Sequence, residues 1–176
     1  MSAARSAFPS AALRPALPAD TPVLAEILRE SIAELTGEDY DEGQQEAWAE
    51  AAVGDEVEFG ARLARNLTLL ATRDGVPVGF ISLADNKLID FLYVHPEVAG
   101  QGVASLLCDA IEKLARARLA PSLSVDASDT ALDFFKKRGF VPMQRNTVPR
   151  GDVWLGNTTM EMKLAANESV PAGKPH

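Results

Sequence analysis

Between residues 67 and 94 the chain alternates apolar runs with short polar breaks. LTLLAT, VPVGFISLA and LIDFLYV are separated by Arg73-Asp74-Gly75 and by Asp85-Asn86-Lys87. Runs of this length, rich in β-branched and aromatic residues and broken at turn-forming residues, predict an antiparallel meander of three strands. Upstream the period changes. Val23, Leu24, Ile27, Leu28, Ser31, Ile32 and Leu35 recur at helical spacing, behind Asp20 or Thr21 as a cap and Pro22 in the first turn, where a missing N–H costs nothing. LRPAL, residues 13–17, predicts a short strand ahead of that helix. The acidic, aromatic stretch after Gly37 and the segment DEVEFGARLARN predict two short helices with Gly54 between them.

Beyond the meander, His95-Pro96 ends the third strand, since proline cannot continue a ladder. A loop with Gly100 and Gly102 leads into SLLCDAIEKLARARL, whose Leu106, Leu107, Ala110, Ile111 and Leu114 form one apolar face. SLSVDAS predicts a strand, and DTALDFFKKRGF a helix with Ser128 as cap and Gly139 as stop. Strands around residues 141–148 and 157–164 complete the pattern.

Composition narrows the class. A chain of 176 residues, 47% of them hydrophobic, supports one domain with a full core. That domain is expected over residues 13–164, after a flexible start at 1–12 and before a tail, 165–176, with nothing to bury. The formal charge of −8 argues against a nucleic-acid partner, which needs clustered Lys and Arg. No apolar run approaches the roughly 20 residues that cross a bilayer, and the Ala- and Ser-rich start lacks the continuous apolar core of a secretion signal. A soluble, cytoplasmic protein without a membrane partner is expected, as a monomer or homodimer. Cys108 is the single cysteine, which excludes an internal disulfide and a cysteine-rich metal site. It falls on the apolar side of its helix and reads as a buried, inert thiol rather than a nucleophile; no metal centre is expected.

The glycine loop carries the first chemistry. A helix N-terminus presents unpaired N–H groups and a partial positive charge, and glycines ahead of it let the backbone turn closely around an anion. The loop is therefore a candidate pyrophosphate cradle, or else a plain strand-to-helix turn. A dinucleotide fingerprint would need glycine in place of Ser105. The phosphate loop of nucleotide hydrolases needs Gly-Lys-Ser/Thr, which is absent.

With Leu92, Val94, Pro96, Gly102 and Ala104 in LYVHPEVAGQGVA, and Ala131 to Phe140 in ALDFFKKRGF, the sequence resembles the GNAT superfamily of acetyl-CoA dependent N-acetyltransferases. It is closest to a bacterial subgroup of small single-domain proteins, through Asp39, Tyr40, Gln44, Trp48, Arg150, Gly151, Leu155, Asn157, Met160, Glu161 and Lys163. The resemblance implies an α/β (α+β) fold with a central, mixed, mostly antiparallel twisted sheet flanked by helices. It implies acetyl-CoA or CoA as cofactor, with backbone groups of Leu92 and Val94 pairing with the pantetheine arm. N–H groups of Ala99, Gly100, Gln101, Gly102, Val103, Ala104 and Ser105 would take the pyrophosphate, with Tyr93, Phe134 and Phe135 lining the cofactor site.

Two positions depart from the family pattern. Ala99 stands where Gln or Arg is usual, a loss that contacts made by backbone N–H would survive. Phe135 replaces the tyrosine often proposed as general acid, so the thiolate leaves unaided or with water or the Tyr93 hydroxyl as donor. Asp90 is the candidate to accept the proton of the attacking amine; its alternative is a strand-end carboxylate paired with a nearby cation. Tyr40 and Trp48, in a polar segment, are expected to line the acceptor pocket or to form a satellite cluster under a loop. Trp154 and Asn157 would reach the same pocket or pack at the sheet edge. His95, beside Pro96, reads as a hydrogen-bonded structural residue. The implied activity is acetyl transfer to a primary amine of a small molecule within a ternary complex. The alternatives are an acyl-CoA binding module without catalysis and modification of a protein amine.

Overall fold

The computed structural model describes residues 10–164; the expectations for residues 1–9 and for the 165–176 tail lie outside the described residues. Ala12 already belongs to the first strand.

The meander forms as its turns require. Strands β1 (Ala12–Pro15), β2 (Leu67–Arg73), β3 (Val76–Ala84) and β4 (Leu88–Val94) pair antiparallel in succession. Asp74 and Gly75, then Asp85 and Asn86, take the positive φ of tight hairpins. Strand β5 (Ser122–Ser128) joins β4 in parallel, and the hairpin of β6 (Val141–Arg150) and β7 (Val153–Lys163) follows, giving the order β1-β2-β3-β4-β5-β7-β6. This is the mixed, mostly antiparallel sheet that the resemblance implied.

Helices cover both faces. α4 (Val103–Ala117) and the short α5 (Leu132–Lys137) pack on one side over Leu69, Ala71, Ile81, Leu83, Leu123, Val125 and Ala127. α1 (Thr21–Leu35), α2 (Glu42–Val53) and α3 (Glu56–Arg65) lie on the other, over Leu70, Phe80 and Phe91. The period of 2 along β2 thus divides its side chains between two apolar cores. In α4 the buried stripe is Val103, Leu107, Cys108, Ile111 and Ala115, with Leu114 and Ala110 flanking it. It is rotated from the expected face, leaving Leu106 half-buried.

Three local expectations are corrected. The first strand stops at Pro15 rather than at residue 17, because the Leu17 N–H turns to the Asp20 carboxylate at 2.7 Å. Asp20 makes no side-chain cap on α1. Its oxygens take the Arg14 guanidinium at 2.8 and 2.9 Å, and that pairing holds the carboxyl below its ordinary range. The last two strands run to the tip of one long hairpin, turning at Gly151 with φ +58°.

Candidate active site

Two features of β4 open the sheet. Its pairing with β5 lasts only for Leu88 with Ser124 and Ile89 with Val125, after which the strands diverge. Against β3, Phe91 opposes Ser82 and Ile89 opposes Leu83, so Asp90 has no opposite residue and forms a bulge. The bulge reverses the alternation: Ile89 packs beneath α4, whereas Phe91 packs beneath α1 and α3. Beyond it, His95 N–H donates to the Val78 carbonyl at 2.8 Å. The alternation of N–H groups along a strand then turns those of Leu92 and Val94 toward the gap left by β5. An extended amide-bearing chain could pair there as an added strand.

The loop after β4 ends against that gap. Gly100 and Gly102 have φ of +78° and +88°, a region that side chains other than glycine enter only with strain. A Cβ at either would meet nothing within 4 Å, so conformation rather than crowding selects glycine. At Gly79 crowding decides, since a Cβ would lie 3.1 Å from the Tyr93 carbonyl and 3.2 Å from Val103, and its absence lets the start of α4 settle onto β3. The N–H groups of Ala99 and Gln101 are spent on Pro96 and Val98 carbonyls, each at 3.2 Å, which removes them from the expected cradle. Those of Gly100, Gly102, Val103, Ala104 and Ser105 have no partner among the described residues, and no side chain caps α4. Arg73, at the end of β2, donates to the side-chain carbonyl of Gln101 and brings a guanidinium to the loop.

Where β4 and β5 part, the face toward α1 and α2 holds a cleft of about 1070 Å³. Asp90, Leu92, Tyr93, Asp126 and Ala127 line it from the sheet, and Phe135 from α5; Ser31, Tyr40, Trp48 and Arg62 line it from the α1–α3 side; Asn146, Arg150 and Asn157 come from the β6–β7 hairpin. Asp90 accepts from Arg62 Nε at 2.7 Å and NH2 at 2.5 Å, and from Asn66 Nδ2 at 3.0 Å. A carboxylate offers about four lone-pair directions, and the remaining one, on Oδ1, is uncommitted.

An aromatic array forms part of the same lining. Trp48 stacks at 5.3 Å edge-on to Tyr40 and at 6.5 Å to Tyr93, and its indole N–H donates to the Tyr93 hydroxyl at 3.1 Å. Burial pushes the Tyr93 phenol up to about 12, with Arg62 and Arg150 pulling weakly the other way. The Tyr40 hydroxyl is consumed by structure. It donates to the Gly156 carbonyl at 2.7 Å and accepts from Asp129 N–H at 2.8 Å, tying the α1–α2 connection to β7 and to the end of β5. Tyr40→Phe leaves both half-buried backbone groups without this partner, at about 1–3 kcal/mol. Calorimetry should record a melting temperature lower by about 4–8 °C; an unchanged value would remove the strap.

Of the expected site residues, Asp90, Leu92, Tyr93, Tyr40, Trp48, Phe135 and Asn157 border one cleft. Phe135 is buried edge-on to Phe134 and Phe140, and Phe134 lies under the Arg138 guanidinium. Trp154 is not among the residues lining the cleft: the residue is 61% exposed on β7, and its backbone carbonyl accepts from the Gln44 side chain. His95 has the structural role expected, accepting from Glu97 N–H at Nδ1 and meeting Glu30 at 3.5 Å through Nε2. Arg62, Asn66 and Arg73 were not legible as site residues, because each reaches its partner across at least 24 positions of sequence.

Comparison with known proteins gives one answer. Residues 36–164 match the family model described as an acetyltransferase (GNAT) domain. The uncharacterised N-acetyltransferase YafP of Escherichia coli is 33% identical over 146 residues, spanning 83% of this chain and 91% of that protein. A GCN5-related N-acetyltransferase from Rhodopseudomonas palustris, also described as a class-II aminotransferase, is 54% identical in its solved structure. It covers 92% of this chain and 100% of its own, with a TM-score of 0.87. The PaiA N-acetyltransferase of Thermoplasma acidophilum, solved with coenzyme A, shares the fold at 23% identity and a TM-score of 0.72, covering 88% of this chain and 99% of its own. Among the described residues, no helix is long and apolar enough to cross a membrane.

Proposed function

We propose, since the chain belongs to the GNAT acetyltransferase family, that it moves the acetyl group of acetyl-CoA directly onto a primary amine of a small-molecule acceptor while both are bound. The observation that carries this reading is the divergence of β4 from β5, which leaves the Leu92 and Val94 edge open beside a walled cleft.

When bound, acetyl-CoA supplies the activated thioester carbonyl. The chain's own part is chiefly positioning and polarisation. The free N–H groups of Gly100, Gly102, Val103, Ala104 and Ser105, at the positive end of α4, suit the pyrophosphate, and Arg73 adds charge at the rim. Ala99 contributes no side chain to this contact, and backbone donors make one unnecessary. Asp90, held in orientation by Arg62 and Asn66, accepts the amine proton through its free Oδ1 direction, with or without one intervening water. A phenol at about 12 does not yield its proton to a thiolate whose ordinary pKa is about 8.5. Tyr93 therefore serves as a hydrogen-bond donor, and the thiolate departs as the anion.

The fastening of one side of the cleft supports a small acceptor. Tyr40 and Gln44 fasten the α1–α2 connection and the start of α2 to the β7 backbone. The test is release of free thiol over a panel of amines, with initial rates varied in both substrates. Lines that converge fit a ternary complex; parallel lines overturn it. A protein that binds CoA and releases no thiol with any amine is the non-catalytic module instead.

Direct transfer also predicts that no acetylated enzyme accumulates. Cys108 is fully buried on the inner face of α4, and burial pushes its thiol up to about 12, so it is not available as an intermediate carrier. Intact mass after incubation with acetyl-CoA alone should be unchanged; an added acetyl group on Cys108 would overturn direct transfer.

A further inference from the structure

The charges around the cleft are not all balanced. Arg62 is spent on Asp90, and Arg145 on Asp129, with N···O separations of 2.5 Å in each pair. Arg150, at the end of β6, lines the same cleft, and its one hydrogen bond is to the carbonyl of its neighbour Pro149 at 2.8 Å. It has no carboxylate partner among the described residues. Asp90 and the aromatic residues Tyr40, Trp48 and Tyr93 line that cleft with it.

A guanidinium is a planar, permanently charged donor fork that matches a carboxylate in two parallel hydrogen bonds. Half-buried on a cleft wall, with a single guanidinium hydrogen bond to the Pro149 carbonyl and no carboxylate partner among the described residues, it presents a receptor for an anion. We propose that the acceptor amine also carries a carboxylate, which Arg150 binds while the amine is presented to Asp90. This rests on the transfer reading above and narrows its acceptor class to aminocarboxylates. A phosphate would bind the same fork, but its second negative charge would face Asp90 and Asp126 in the same cleft, which favours the monoanion.

The experiment compares matched acids and amides as acceptors in the thiol-release assay. The pairs are glycine and glycinamide, 4-aminobutyrate and its amide, and L-phenylalanine and its amide, with O-phosphoethanolamine as a phosphate arm. Wild type, Arg150→Gln and Arg150→Lys are assayed alike, so the differing basicities within a pair cancel across variants. Arg150→Gln should lower kcat/KM for the preferred acid by about 10-fold or more, mainly through KM, in line with the loss of a charge-assisted pair. The amide should be little affected, and Arg150→Lys should retain part of the preference. Equal losses for acid and amide, no preference for any acid in the wild type, or a stronger preference for O-phosphoethanolamine would each overturn the proposal. If no amine releases thiol, the transfer reading fails separately. Calorimetric binding of the same pairs to the CoA-loaded protein then decides: carboxylate binding that Arg150→Gln abolishes sustains the assignment, and its absence sinks it.

Discussion

Gly102→Asp should reduce the affinity for acetyl-CoA by about 100-fold or more while the protein remains folded. Residue 102 precedes α4 with φ +88°, its N–H is free, and a side chain built there enters open space. A carboxylate in that space stands where the pyrophosphate would lie. Two like charges about 4 Å apart repel by about 1 kcal/mol in bulk water and about 4 at a protein surface, so a loss near 3 kcal/mol, or about 100-fold, is reasonable. The left-handed conformation adds about 1–2 kcal/mol of strain for any side chain. Gly102→Ala carries that strain without the charge, and should lower the melting temperature with only a modest effect on binding. Titration calorimetry on both variants separates the two contributions. If Gly102→Asp is folded and binds CoA as wild type does, the loop is not the cradle.

The second large effect is expected at Asp90. Asp90→Asn keeps size and one acceptor oxygen but removes the group that takes the amine proton, and turnover at neutral pH should fall by about 10²-fold or more. Raising the pH should restore part of the loss, because more of the acceptor is then already neutral. The ion pair with Arg62 complicates any reading from stability alone. Arg62 is 43% exposed, so its lost partner should cost only about 1 kcal/mol. A rate loss with a small melting shift and partial recovery at high pH identifies proton acceptance. Unchanged turnover per folded molecule at pH 7 would reduce Asp90 to an anchor for α3 and leave water as the base.

How much of this was written in the chain depends on range. The meander was legible because its turns are local: Asp74-Gly75 and Asp85-Asn86 fix the positive φ that the hairpins need. The glycine turn into α4 was legible because two glycines and a following apolar stripe lie within one short segment. Asp90 was legible as a polar residue in an apolar strand, and both readings of it began from that fact. Its cation was not, because Arg62 sits on an amphipathic helix as any solvated arginine would, and only the bulge turns Asp90 toward it. The hairpin ends were missed for a related reason. QRNTVPRGDVWLGNT has no clean alternation, and its pairing is sustained by cross-strand polar bonds such as Asn146 to Asn157 at 2.9 Å and to Thr159 at 2.8 Å. Trp154 failed as a site residue because hydrophobicity does not say which face of an edge hairpin a residue occupies.

The two-rung junction between β4 and β5 has a mechanical side. Strands β1 to β4 and strands β5 to β7 each form a stiff plate, because every neighbour within them is pinned by a long ladder. Between the plates, past Ile89 and Val125, no ladder continues; the apolar packing of Leu123, Val125 and Ala127 beneath α4 and α5, and the Tyr40 and Gln44 side-chain bonds to β7, hold them together. Ladder bonds are directional and fix an angle, whereas apolar contact resists separation without fixing one. The seam therefore has a compliance that neither plate has. On the transfer reading proposed above, the arm of the cofactor would lie along this seam, so its entry and exit would leave the ladders within each plate intact.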